Sequence, residues 1–151
     1  MEYAIVKVPP AINGVHGVVL DTMVLIYLLE DHPVYADRCE HVLRWASESK
    51  FFGVVSPITV AELLVKPLEA GRKDLADQYK NALRNLPNIA LCDCSWKTGV
   101  MAGALKAKYG MPLPDMFQVA CAMEHGGVLV TNDKALKKIS EITVVLLSEI
   151  M

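Results

Sequence analysis

Short apolar runs alternate with amphipathic segments along the chain. The runs lie at residues 17–21, 51–57, 88–94, 128–133 and 143–147 and are continuous, without the strict alternation of a half-exposed strand. Such runs are typical of strands buried on both faces of a parallel sheet. The pattern therefore predicts an α/β fold with five strands joined by helices.

Helix signals fill the intervals between these strands. Pro33 ends one helix and opens the next, and Pro57 lies in the first turn of another. Ser95 and Gly110 fit the cap and the stop of a longer helix. The predicted helices cover residues 22–29, 33–47, 57–66, 73–86, 96–109 and 116–125, with a short lysine-bearing helix after residue 133.

Length and composition predict one globular domain over residues 1–151. The chain is 53% hydrophobic, and a chain of this length buries roughly 70% of its unfolded surface. It has no apolar stretch of membrane-spanning length and no signal-peptide pattern, so a cytoplasmic protein is expected. The leader, residues 1–16, contains an apolar run at 2–8 that fits either an extra edge strand or a contact with a partner.

The cysteines and histidines give no sign of a zinc site. The four cysteines contain no CxxC pair, and the four histidines have neither HxxxH nor HExxH spacing. Buried free thiols are the expected state of the cysteines.

Four acidic residues occur where a parallel sheet forms its sites. Asp21 and Asp133 follow the first and fourth strands, and ligands bind such sheets at the carboxyl ends of the strands. Glu62 lies in the helix after the second strand, and Asp115 opens the helix before the fourth. We expect Asp21, Asp115 and Asp133 to lie close enough to share one cation, with Glu62 beside them.

A cluster of this kind predicts a bound divalent cation. Neighbouring carboxylates repel one another and raise each other's pKa values. Oxygen ligands alone select Mg²⁺ or Mn²⁺, and hydrolysis of phosphodiester bonds is the chemistry that these ions support.

Each acid also has a structural interpretation. Asp115 fits an N-cap, and Asp133 fits a turn before a short helix. Glu62 interrupts an otherwise apolar helix, where an unpaired buried carboxylate is costly. A purely structural role for all four acids is therefore not expected.

The net charge of −2 is unusual for a protein that binds nucleic acid. If four of the 17 acidic residues belong to a metal site, 13 remain against 15 lysines and arginines, so the rest of the surface is mildly basic. Lys134, Lys137 and Lys138 follow Asp133 directly and are candidates for contacts with substrate phosphates. The alternative for these lysines is a solvated face.

Four segments, in their order and spacing, resemble the PIN-domain nucleases, and especially the VapC-type toxins of VapBC toxin–antitoxin pairs. The segments are VVLDTMVLIYLLEDHP, SPITVAELL, GMPLPDMFQVACAMEHGG and VLVTNDKAL, and the resemblance spans about residues 17–147. It implies a PIN-like three-layer α/β/α sandwich with a central, mostly parallel, five-stranded sheet. The family motifs match catalytic and metal-binding acids and polar residues around them: Asp21, Glu62, Asp115 and Asp133, supported by Thr22, Ser56, Thr59, Thr131 and Asn132. Helix capping is the alternative role for the five supporting residues.

The resemblance implies a Mg²⁺- or Mn²⁺-dependent endoribonuclease that acts on RNA. It also implies a homodimer and a small antitoxin whose chain lies across the active-site groove. A housekeeping RNA-processing PIN nuclease and a non-catalytic PIN-like binding module are the alternatives. A phosphatase of the DxD type is disfavoured, because Met23 occupies the position of its second acid. Many PIN relatives carry Ser or Asn at that position, so Met23 removes one possible hydrogen bond near Asp21.

Overall fold

Five parallel strands form the central sheet of the computed structural model, which describes residues 6–150. They are β1 (His16–Leu20), β2 (Phe52–Val55), β3 (Ile89–Leu91), β4 (Val128–Thr131) and β5 (Thr143–Leu146). Their order across the sheet is β3-β2-β1-β4-β5. The α/β fold and its five predicted strands are confirmed, and the sheet is wholly parallel.

Six helices connect the strands, as predicted. They are α1 (Thr22–Leu29), α2 (Ala36–Ser47), α3 (Pro57–Glu69), α4 (Lys73–Arg84), α5 (Trp96–Tyr109) and α6 (Leu113–Glu124). Two short 3-10 helices follow β4 and β5, at Lys134–Lys138 and Leu147–Glu149. Among residues 6–150, no helix combines the length and the apolar character needed to cross a bilayer.

The two faces of the sheet carry separate hydrophobic cores. Val18 and Leu20 of β1 belong to one core, and Val19 between them belongs to the other. Successive residues of a strand point to opposite faces, so β1 is covered on both sides. Helices α1 and α2 contribute to the first core and α5 and α6 to the second, which gives the expected three layers.

The strand order places a topological switch point beside β1. From β1 the chain proceeds outward through β2 to β3, and it then returns to the other side of β1 to form β4 and β5. Open parallel sheets bind ligands at the carboxyl ends of the strands flanking such a point. Asp21 follows β1 and Asp133 follows β4, so both acids lie at this edge.

The end of α6 packs directly on the start of β1 through two glycines. The N–H of Gly126 donates to the carbonyl of Gly17 at 3.0 Å. A Cβ atom on Gly17 would lie 2.7 Å from that nitrogen, and the φ angle of Gly17 is +119°. This contact requires glycine and holds the far end of α6 against β1, so that the beginning of α6 lies near Asp21.

The described part of the leader before β1, residues 6–15, contains no strand. Val6 and Val8 have irregular backbone and pack against the first core. The edge strand considered for residues 2–8 is therefore absent from 6–8, and its remaining residues lie outside the described part of the chain.

Candidate functional site

Asp21 is the most buried acid of the site and is held by three donors. It is 6% exposed and forms the N-cap of α1, where the backbone N–H of Thr22 donates to Oδ1 at 2.8 Å. The hydroxyl of Thr131 donates to Oδ2 at 2.6 Å, and Nε2 of Gln118 donates to Oδ1 at 3.3 Å. Asp21 is therefore firmly oriented, although Met23 has no hydroxyl or amide group at the position where many PIN relatives carry Ser or Asn.

The pKa of Asp21 is raised above its ordinary value. Burial is the main cause, and the negative charge of Glu62 acts in the same direction. The hydrogen bonds from Thr131, Thr22 and Gln118 favour the ionised form and offset part of this effect. The hydrogen bonds to Asp21 therefore offset only part of the free-energy cost of burying its negative charge.

Gln118 is the centre of the polar network, and the sequence analysis did not single it out. Its side chain is 1% exposed on α6. Its Nε2 donates to the hydroxyl oxygen of Thr59 at 2.8 Å, and its Oε1 accepts a hydrogen bond from Ser56 at 2.7 Å. The available signal was a polar residue inside an apolar helical run, three positions after Asp115 and on the same helix face.

Glu62 joins the site through Thr22. The hydroxyl of Thr22 donates to Oε1 of Glu62 at 2.8 Å and lies 3.0 Å from the hydroxyl of Thr59. Glu62 is exposed and paired, so the buried, unpaired carboxylate weighed from the sequence does not occur. The contact links α1 to α3 and places the fourth acid near the other three.

Asp115 does not cap a helix. Helix α6 begins at Leu113 with Pro112 at the N-cap. The helix therefore starts earlier than expected, and Asp115 lies within its first turn, two residues after the start. Within residues 6–150, the side chain of Asp115 makes no hydrogen bond or ion pair. Burial raises its pKa to about 6, and the charges of Asp21, Asp133 and Glu62 add to that shift. All four predicted acids are therefore electrostatic neighbours.

Asp133 has both a local and a long-range role. Its Oδ1 accepts from the N–H of Ala135 at 3.0 Å and caps the 3-10 helix Lys134–Lys138. Its own N–H donates to the hydroxyl of Thr131 at 3.2 Å. The turn interpretation is correct for this oxygen, while the charge of the carboxylate still reaches Asp115.

Four of the five predicted supporting residues enter one network. Thr22, Ser56, Thr59 and Thr131 are all buried and hydrogen-bonded around Asp21 and Gln118. Asn132 has a different role, because its Oδ1 accepts from the N–H of Ser148 at 3.2 Å. It ties the loop after β4 to the segment after β5.

The four acids supply the oxygen ligands that a hard cation prefers, but their side chains do not surround a common point. Among residues 6–150, no three Asp, Glu, His or Cys side chains form a group that could hold a metal ion as they stand. That Asp21, Asp115 and Asp133 share one cation therefore stays a prediction, because their side chains do not form such a group as they stand. Hydrogen bonds occupy both oxygens of Asp21 and one of Asp133, and mutual repulsion opposes closer approach. Mg²⁺ uses one or two carboxylates and keeps several waters, so the oxygen-only set still suits it.

The three candidate lysines differ. Lys137 donates to the carbonyl of Val144 at 2.8 Å and forms an ion pair with Glu149 at 2.7 Å, so it serves the C-terminal segment. Lys134 and Lys138 are exposed and, within the described residues, have no hydrogen bond or ion pair.

Comparisons with known proteins agree with this geometry. The PIN-domain family model matches residues 18–142. No curated protein sequence gives a significant match.

Solved structures share the fold at low identity. One chain of VapBC2 from Rickettsia felis, bound to a promoter DNA fragment, is 19% identical with a TM-score of 0.71, and the match covers 86% of this chain and 98% of that one. A toxin–antitoxin complex from Klebsiella pneumoniae gives 22% identity and a TM-score of 0.67 over 86% and 97% of the two chains. VapBC-1 from nontypeable Haemophilus influenzae gives 21% identity and a TM-score of 0.63, and the match covers 87% of this chain and 98% of that one. Because the family model spans most of the chain and the sheet carries its acids at the expected edge, this chain belongs to the PIN-domain family.

Proposed function

We propose that this chain is a Mg²⁺- or Mn²⁺-dependent endoribonuclease and the toxin of a VapBC-type toxin–antitoxin pair. The observation that carries the proposal is the coupling of four carboxylates from four separate segments at one edge of a PIN-domain sheet. Asp21, Asp133 and Glu62 all act on the pKa of Asp115. Four like charges placed close together are unfavourable in a purely structural cluster, whereas a divalent cation that supports phosphodiester hydrolysis would neutralise them.

Asp21, Asp115, Asp133 and Glu62 are the residues that would hold the metal. When bound, a divalent cation of this kind activates a water and stabilises charge on the phosphoryl group. The chain's own contribution is orientation. Thr131 and Gln118 donate to Asp21, and Thr22 donates to Glu62, so these hydrogen bonds orient the two carboxylates at the edge of the sheet.

RNA is the proposed substrate, and Lys134 and Lys138 support it. Both follow Asp133 in the 3-10 helix at the edge of the site, and both are free to contact phosphates. Lys137 is a weaker candidate, since its ammonium group already pairs with Glu149.

A groove beside the acids supports an antitoxin as the partner. It has a volume of about 540 Å³ and lies between α1, α3 and α4. Glu62 is among its lining residues, and the rest of the lining is mainly apolar and includes Ile26, Leu29, Leu63, Val65, Leu75 and Tyr79. One of the solved structures described above is a toxin–antitoxin complex by description and the other two are VapBC structures, which supports a partner of this class. A homodimer stays a prediction.

The retention of all four acids argues against the alternative of a non-catalytic binding module. A housekeeping nuclease would share the site but would lack an antitoxin. Co-expression with the product of a small adjacent reading frame distinguishes the two, because only a toxin is neutralised by such a partner.

A cleavage assay tests the proposed activity directly. Purified chain should cut single-stranded and loop RNA with Mg²⁺ or Mn²⁺ and should not cut it in excess EDTA. Asp21→Asn should reduce cleavage to background, whereas Glu40→Gln, at an exposed acid on α2, should leave it unchanged. Full activity of the wild type in EDTA, or of Asp21→Asn with metal, would contradict the proposal.

A further inference from the structure

Cys92 and Cys121 bring two thiols into contact. Their Sγ atoms are 3.3 Å apart, although 29 positions separate the residues in sequence. Cys92 follows β3, and its N–H donates to the carbonyl of Val55 at 3.0 Å, which fixes it beside the end of β2. Cys92 is partly exposed, whereas Cys121 on α6 is buried. The cysteines are free, as predicted, but Cys94 is exposed rather than buried.

The two thiols differ in pKa. A hydrogen bond from Cys121 lowers the pKa of Cys92 to about 7, and the charge of His125 acts in the same direction. The same hydrogen bond, together with burial, raises the pKa of Cys121. Cys92 therefore combines thiolate character with access to solvent, which are the two properties of an oxidisable cysteine.

We propose that Cys92 and Cys121 form an oxidisable dithiol that reacts with a hydroperoxide and closes to an intramolecular disulfide. The Cys92 thiolate attacks the peroxide, so that an S–O bond forms, the O–O bond breaks and the leaving oxygen takes up a proton. The sulfur of Cys121 then attacks the sulfenic acid of Cys92. The S–S bond forms, the S–O bond breaks, and hydroxide leaves as water with the proton of the Cys121 thiol. Two electrons pass from the two sulfurs to the peroxide.

The surroundings favour a disulfide over a metal at this pair. His125 Nδ1 lies 2.7 Å from the carbonyl oxygen of Cys121, and since a carbonyl only accepts, this nitrogen carries the proton and is no metal ligand. No three His, Cys, Asp or Glu side chains in the described chain form a group suited to a metal. The sulfurs need only close from 3.3 Å to about 2 Å.

The dithiol lies next to the candidate active site. Cys121 follows Gln118 by three positions on α6, and Cys92 is bonded to Val55, the residue before Ser56. Closing the disulfide draws α6 toward the end of β3 and strains the contact between Gln118 and Ser56. The loss of RNA cleavage that we expect from this change rests on the proposed function, whereas the disulfide chemistry does not.

Oxidation of the purified chain with hydrogen peroxide tests the chemistry. Peptide mapping should show one Cys92–Cys121 disulfide, reversed by dithiothreitol. Cys121→Ser should leave a Cys92 sulfenic acid that dimedone traps, and Cys92→Ser should yield no adduct at Cys121. Cys94→Ser is the matched control and should form the disulfide as the wild type does.

Two chemical outcomes would overturn the assignment. One is oxidation that proceeds through Cys94, within or between chains, and leaves Cys92 and Cys121 reduced. The other is stoichiometric protection of both thiols by Zn²⁺ alone, which would make the pair a metal site.

RNA cleavage by the reduced and oxidised chains then separates this coupling from the proposed function. A severalfold loss on oxidation, restored by dithiothreitol and absent in Cys92→Ser, is expected. Equal cleavage by the two forms would overturn the coupling. A reduced chain that never cuts RNA would contradict the nuclease proposal, and the peptide map would still decide the disulfide.

Discussion

Nε2 of Gln118 on α6 donates to the hydroxyl oxygen of Thr59 on α3 across 2.8 Å, beneath the acids of the site. The other end of the same amide accepts from Ser56, and Nε2 also reaches Asp21. One buried side chain therefore joins the ends of β1 and β2 to two helices. Removal of a partner from such a network leaves buried polar groups unsatisfied, and this costs more than the hydrogen bond itself contributes.

Gln118→Leu should lower stability and disturb the site together. Ser56 loses its partner, and an unsatisfied buried hydroxyl costs roughly 1 to 3 kcal/mol. The melting temperature should fall by several degrees. Met116→Leu, at a fully buried position on the same helix, is the control and should cost less than about 1.5 kcal/mol. Equal melting temperatures for the two variants would show that the Gln118 network is not needed for stability.

Asp21→Asn should stabilise the metal-free protein at neutral pH while abolishing cleavage. The folded-state pKa of Asp21 is raised, so its ionisation at neutral pH weakens the fold. The variant cannot ionise, and its advantage should disappear in acid, where the wild-type carboxyl is protonated. Melting curves in EDTA across pH check this, with Glu40→Gln as the control. A variant that melts below the wild type at every pH would make Asp21 a structural acid.

Asp115 should make the stability of the metal-free protein depend on pH in an identifiable window. Its pKa in the folded chain is about 6, raised from 3.8. Between about pH 4 and pH 6 the folded state holds a proton that the unfolded state has lost, so stability should fall as pH rises through this range. Asp115→Asn should reduce that slope, and the remainder should come from the raised pKa of Asp21. Mg²⁺ or Mn²⁺ should also reduce it in the wild type, because a cation favours the ionised form; an unchanged slope with metal would count against a site at Asp115.

Gly17→Ala should destabilise the fold much more than Gly71→Ala. Both glycines have positive φ angles, +119° and +67°, but only at Gly17 would a Cβ meet other atoms, 2.7 Å from the nitrogen of Gly126. Backbone strain alone costs of the order of 1 kcal/mol, and the clash at Gly17 adds to it. Denaturant melts of the two variants measure the difference. Similar losses would mean that the contact between β1 and α6 gives way easily.

Lys134 and Lys138 should matter for RNA, and Lys137 for the C-terminal segment. The double change of Lys134 and Lys138 to Ala should weaken RNA binding, reduce its salt dependence and leave stability within about 0.5 kcal/mol. Lys137→Ala should instead loosen the contact with Glu149 at a small cost in stability. Lys50 lies just before β2, at the opposite edge of the sheet. Lys50→Ala is therefore the control when RNA affinity is measured by fluorescence anisotropy. An unchanged affinity in the double variant would mean that both lysines belong to a solvated face and do not contact RNA.

Local pattern was sufficient to predict the layers, the helices and the edge at which the acids lie. A buried parallel strand is a continuous apolar run, so residues 17–21 predicted β1 and placed Asp21 at its end. The one helix start placed too late, at α6, shows the limit of local rules. Pro112 and Pro114 lie at the start of α6, because proline is accommodated at a helix N-cap and in the first turn, where no N–H is needed.

Contacts between distant segments were beyond such patterns. Gln118 became the centre of the site only because α6 packs across β1 and brings its side chain between Ser56 and Thr59. The strand order likewise decided that Cys92 meets Cys121. Sequence periodicity reports which face of an element is buried, whereas the identity of the neighbour on that face depends on strand order and helix packing, which involve residues far apart in the chain.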